Sequence, residues 1–197
     1  MIQCKDICLA FNEKSIFTNF NAKIKAGENV CIGGASGKGK SSLLNLFQGY
    51  VIPQSGSISV AGKNLSPTTI KEIREQIMYV PQNIHLPVKN GSALADLMGI
   101  QKKLPKIKQA LTQLGLTEDF LEKDFMKISG GQKQRIVIAV CLGLDKNILL
   151  MDEPTASLDD DSINLLIKTI GNLKDKTIVS ASHNQQWAES CDRIIEL

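Results

Sequence analysis

Gly33-Gly34-Ala35-Ser36-Gly37-Lys38-Gly39-Lys40-Ser41-Ser42 decides the reading of this chain. Within it, Gly34 to Ser41 fits G-x-x-x-x-G-K-[ST], the phosphate-binding P-loop. The setting supports the letters. Val30-Cys31-Ile32 before it is a short apolar run with the pattern of a buried strand. Leu43, Leu44, Leu46 and Phe47 after it are spaced for one face of a helix. Backbone N–H groups of such a turn converge into an anion nest, and glycines let phosphates approach the main chain closely. The following helix adds its positive dipole end. Lys40 is placed to reach the β- and γ-phosphates of a nucleotide, and the Ser41 hydroxyl to bind Mg²⁺.

Working outward, the chain has 197 residues, suited to one domain with room for a subdomain. Apolar residues make up 43%, enough for a substantial core. The net charge is only +3, with Lys and Arg scattered, so charge does not argue for a nucleic-acid partner. The longest apolar run, 136–144, is too short to span a bilayer, and the first residues lack the shape of a signal peptide. Five widely spaced cysteines match no zinc pattern and read as reduced thiols of a cytosolic protein.

Residues 2–11 and 16–24 alternate as strands around a turn at 12–15, forming an antiparallel β region before the P-loop strand. Beyond the P-loop helix, 57–62 reads as a strand, 70–76 as a short helix and 77–80 as a buried strand. From 86 to about 127 strand patterns vanish. Leu94, Leu97 and Met98, then Ile107, Leu111 and Leu114, repeat at helical spacing. A helical insert is expected there. A long apolar helix at 132–144 follows, then a buried strand at 147–151, an amphipathic helix at 162–173 and a strand at 177–180. Apolar strands alternating with helices predict an α/β P-loop NTPase core with a mostly parallel sheet. The N-terminal antiparallel β region and a helical subdomain at about 86–130 complete one domain spanning 1–197.

The second half of a nucleotide site follows the strand at 147–151. Asp152 should sit at its C-terminal edge, where open α/β sheets bind ligands, and can hold Mg²⁺. Glu153 comes next and can orient and polarise an attacking water. Two acids after a strand are also compatible with a solvated turn; the P-loop makes the functional reading the better one.

Ser129-Gly130-Gly131-Gln132 then adds a second anion site, with Ser129 as N-cap and the glycines leaving N–H groups open at a helix N-terminus. Plain helix capping is the alternative reading of Ser129. Gln82 follows a buried strand, Ser157-Leu158-Asp159 follows the acid pair, and His183 follows the next strand. The order of these motifs resembles the ATP-binding cassette family of ATPases, the motor domains of ABC transporters. The resemblance runs from Phe11 to His183, and Ser-Gly-Gly-Gln is its most specific part.

The resemblance implies ATP and Mg²⁺ as ligands and assigns roles. Phe11 resembles the aromatic that stacks on adenine, where Tyr is commoner. Residues 34–42 (Gly34, Ala35, Ser36, Gly37, Lys38, Gly39, Lys40, Ser41 and Ser42) hold the nucleotide. Gln82 resembles the Q-loop glutamine that senses Mg²⁺ and the γ-phosphate. Asp152 and Glu153 resemble the Walker-B aspartate and the catalytic base, and His183 the switch histidine. Ser129, Gly130, Gly131 and Gln132 resemble the signature that caps ATP held by the other subunit of a head-to-tail pair, with Asp159 at that contact. Ile128 in place of Leu, Ser42 in place of Thr, and Val140-Cys141 in place of Arg-Ala are departures at no chemical position.

The implied protein is an ATPase subunit on the cytoplasmic face of a membrane. It pairs with itself or another cassette and powers a separate transmembrane permease. Residues 86–127 and the Gln82 loop are expected to contact that permease. The compact size is somewhat like export-type cassettes, with import left open. No C-terminal regulatory extension is expected. A soluble cassette ATPase serving an assembly process, of the cluster-assembly type, is the alternative. Chromosome-structure ATPases are disfavoured because no heptads separate the P-loop from Asp152.

Overall fold

Val30, Cys31 and Ile32 are completely buried in the computed structural model, which describes residues 1–12, 14–173 and 175–197. In chain order the strands and helices are β1 (Ile2–Phe11), β2 (Lys14–Ile24), β3 (Asn29–Gly33), α1 (Lys40–Phe47), β4 (Ser55–Val60), β5 (Lys63–Asn64), α2 (Ile70–Gln76), β6 (Ile77–Val80), α3 (Gly91–Leu97), α4 (Leu104–Gln113), α5 (Gly130–Gly143), β7 (Ile148–Asp152), α6 (Asp160–Gly171), β8 (Thr177–Ala181), α7 (Gln185–Glu189) and β9 (Arg193–Glu196). They form two compact units. The first comprises Met1–Met78, Lys146–Asp152 and Asp175–Leu197; the second comprises Tyr79–Asp145 and Glu153–Lys174.

The first unit holds the expected α/β core. Its five-stranded sheet has the order β6-β7-β8-β3-β9. β3 runs parallel to both β8 and β9, and β7 parallel to β8. Every residue of β7 and β8 is buried, as strands covered on both faces require. α1 packs against β7 and β8 through Leu43, Leu44, Leu46 and Phe47, all fully buried. Each contributes on the order of 1.5–3 kcal/mol by leaving water. Trp187 is also core: its indole N–H donates to Ser180 Oγ at 2.8 Å.

A second sheet in this unit, β2-β1-β4-β5, is antiparallel, as the alternation at the N-terminus predicts. Its β1–β2 register shifts after Cys4, and Asp6 stands at φ 51° there. The Asp6 N–H donates to Asn21 Oδ1, and Asn21 Nδ2 donates back to the Asp6 carboxylate, both at 3.0 Å. The turn expected at 12–15 includes Glu13, which lies outside the described residues.

The second unit is helical, without a strand between Val80 and Ile148. Its centre is α5, buried on all sides from Ile136 to Gly143. α4 and α3 pack against it. A Cβ on Gly143 would stand 2.7 Å from Ile107 Cγ1, a measure of how closely α4 and α5 approach. Asn90 caps α3 by accepting from the Ala93 N–H at 2.9 Å. Leu97 departs from its place in the apolar repeat. It is 65% exposed, because α3 ends there and turns Leu94 and Ala95 inward instead.

Candidate functional site

The P-loop joins β3 to α1 with Gly34, Gly37 and Gly39 at φ 126°, 79° and 99°. L side chains rarely adopt such angles, which glycine takes without strain. The loop is braced from both sides. A Cβ on Gly34 would meet the Leu197 carbonyl oxygen at 3.0 Å, and one on Gly39 would lie 2.5 Å from Ile16 Cγ2. The β1–β2 hairpin therefore abuts the end of the loop. Phe11, paired with Lys14 at the same end of that hairpin, is 44% exposed and so free to offer a ring face. Ala35, Ser36, Gly37 and Lys38 are exposed, whereas Lys40 is buried. Lys40 Nζ donates to the carbonyl oxygens of Gly34 at 2.8 Å and Ala35 at 3.3 Å. The loop thus wraps around its own ammonium group.

Asp152 ends β7, as its place after the apolar run predicts, and is 5% exposed. The Ser41 hydroxyl donates to Asp152 Oδ1 at 3.0 Å. A hydroxyl and a carboxylate oxygen, 111 residues apart in the chain, are hard oxygen groups that could hold Mg²⁺ together with waters and phosphate oxygens. Among the described residues no cluster of three or more His, Cys, Asp or Glu could hold a metal. His183 is exposed just beyond β8. Behind it, Ser182 Oγ accepts from the Asn184 N–H at 3.1 Å, and Asn184 caps α7.

In the helical unit, Gln82 is exposed just after β6. Ser129 is the N-cap of the fourteen-residue α5, and a complete capping box surrounds it: Ser129 Oγ accepts from the Gln132 N–H, and Gln132 Oε1 accepts from the Ser129 N–H. Ser129 and Gly130 are exposed. The helix N-terminus therefore presents N–H groups and its dipole outward. Asp159 caps α6, accepting from the Ser162 N–H at 2.8 Å. Hydrogen bonds from Ser162 hold its carboxyl below the usual carboxylate range, with the Arg135 charge adding to the effect.

Glu153 is 7% exposed and stands at φ 47°, a left-handed conformation for a non-glycine residue. Its carbonyl oxygen accepts from the Ala156 N–H at 3.2 Å and from Gln134 Nε2 at 3.2 Å.

Lys40, Ser41 and Asp152 are thus gathered in the first unit, and Ser129, Gly131 and Glu153 in the second. Sequence reasoning missed two features. Gly131 is needed for space as well as for its open N–H, since a Cβ there would lie 2.4 Å from the Ser157 carbonyl oxygen. Gln134 was not singled out. A lone amide beside the apolar run 136–144 was the available signal, because buried glutamines need partners.

A family profile described as ABC transporter matches residues 17–156. The energy-coupling factor transporter ATP-binding protein EcfA1 of Oenococcus oeni is 34% identical over 210 residues, covering 100% of this chain and 76% of that protein. The thiamine import ATP-binding protein ThiQ of Haemophilus influenzae is 38% identical over 206 residues, covering 99% and 94%. Among solved structures, the dimeric ATP-binding cassette MJ0796 in a post-hydrolysis state with ADP and Pi is 28% identical. It superposes with a TM-score of 0.88 over 100% of this chain and 94% of that one.

Proposed function

The chain belongs to the ABC transporter family and is an ATPase of that family, and from that premise we propose that two cassettes pair head to tail around two ATP molecules and drive a separate membrane permease. The observation that carries the nucleotide site is the 3.0 Å contact of Ser41 with Asp152 at the foot of a P-loop that encloses Lys40. Lys40 binds the β- and γ-phosphates, and Phe11 stacks on the adenine. Ser41 and Asp152 would hold Mg²⁺, which would neutralise phosphate charge. Glu153 orients a water molecule and accepts its proton as the water oxygen bonds to the γ-phosphorus and ADP leaves. Gln82 and His183 contact the γ-phosphate. The N-terminus of α5, with Ser129, Gly130, Gly131 and Gln132, caps the nucleotide of the opposite subunit, and the dimeric cassette among the similar structures supports that pairing.

No helix among the described residues is long and apolar enough to cross a membrane; the permease is proposed as a separate chain. Leu97 and Met126, 65% and 90% exposed, are apolar groups that the helical unit offers to such a partner. The relative named for thiamine import favours import over export. The test is to express tagged Glu153→Gln in its own host and purify it from solubilised membranes with ATP. A stoichiometric multi-span protein is expected. Recovery of soluble partners alone would replace transport with an assembly role.

A further inference from the structure

Gln134 is 3% exposed, and its side-chain amide points along the helical unit to the main chain of Glu153. We propose that Gln134 is a positioning residue for ATP hydrolysis, which clamps the Glu153 carbonyl and so fixes the direction of the Glu153 side chain. The inference rests on Glu153 being the catalytic base.

The backbone makes such a clamp necessary. A non-glycine residue in the left-handed region is strained and persists only where its surroundings hold it. Glu153 is at φ 47° and is followed by Pro154, which narrows its choices further. Its carbonyl oxygen accepts from the Ala156 N–H and from Gln134 Nε2. The Ala156 N–H belongs to the same turn and moves with it, whereas Gln134 belongs to α5, a rigid helix with its own buried core. Gln134 therefore ties the turn to something outside it.

The tie also has a direction. Ser129 and Gly130 begin α5, and Gln134 lies about one turn further along the same helix. Whatever seats the α5 N-terminus also seats the amide that holds Glu153. Without the amide, Glu153 keeps the Ala156 bond, so the turn survives while its orientation loosens. Misplacement of a reacting group by about 1 Å costs on the order of a hundredfold in rate.

The test uses Gln134→Met, which keeps the volume and removes the donor, together with Glu153→Gln and the double variant. ATPase rates, ATP affinity and thermal unfolding are measured on the purified protein. Gln134→Met is expected to lower kcat at least tenfold with KM within about twofold. In the Glu153→Gln background, the same change should leave the residual rate within about twofold, because the group it positions is already gone. A parent-like kcat in Gln134→Met overturns the inference. So does a tenfold loss that persists in the double variant, which would mark a general structural role. Parent-like turnover in Glu153→Gln alone would instead remove the base assignment, and this inference with it.

Discussion

Gly131 and Ser157 are in backbone contact: the Ser157 carbonyl oxygen lies where a Cβ of residue 131 would be, 2.4 Å from that position. The first turn of α5 and the turn before α6 are thereby pressed together inside the helical unit. Gly131→Ala must push one of two backbones aside. Overpacking of this kind costs about 1–3 kcal/mol. Thermal unfolding should shift down by about 2–4 °C for each kcal/mol, and dimer formation with ATP should weaken. An unchanged melting temperature would contradict the contact.

Lys40 is held by loop carbonyls and is the cation of the P-loop. Hydrogen bonds to charged groups contribute about 1.5–3 kcal/mol. Lys40→Ala should therefore weaken ATP binding by about ten- to a hundredfold and abolish measurable turnover. Calorimetry with ATP checks the first and phosphate release the second.

Asp152 accepts from Ser41 and is buried. Asp152→Asn preserves the shape and removes the charge that attracts a divalent cation. The Mg²⁺ concentration for half-maximal ATPase activity should rise at least tenfold, with a much smaller change in metal-free nucleotide binding. An Mg²⁺ titration of both proteins decides it.

Ser129 is exposed at the start of α5 and closes a capping box. Ser129→Arg removes a cap worth about 1 kcal/mol and places a long side chain in the proposed dimer contact. Sedimentation in the Glu153→Gln background should find monomers with ATP, while the isolated monomer still binds nucleotide. Lost binding by the monomer would put Ser129 in the same half-site as the P-loop.

The cysteines offer a check that needs no activity. Burial pushes the Cys4 and Cys141 thiols up to about 12. The partly exposed Cys8 is drawn down by hydrogen bonds from Ser55 and Asn19. Iodoacetamide at pH 8 should label Cys8 first in the folded protein, with Cys4 and Cys141 labelled only on unfolding. Mass spectrometry of timed digests reads the order.

The P-loop with its strand and helix was legible in the chain alone, because glycine, lysine and apolar spacing are local requirements that each residue states on its own. Asp152 was legible for the same reason: a carboxylate after a buried run must sit at a strand's end. The Ser129 cap was equally local, since its partner Gln132 is three residues away. Only the tertiary structure brought Ser41 to Asp152, 111 residues on, by laying α1 over β7. It alone revealed that Leu97 faces outward where α3 stops, that Gly131 makes room for Ser157, and that Glu153 stands in a left-handed conformation under the amide of Gln134. These depend on how closely non-adjacent backbones approach. That distance is set by packing across elements, and no spacing along the chain encodes it.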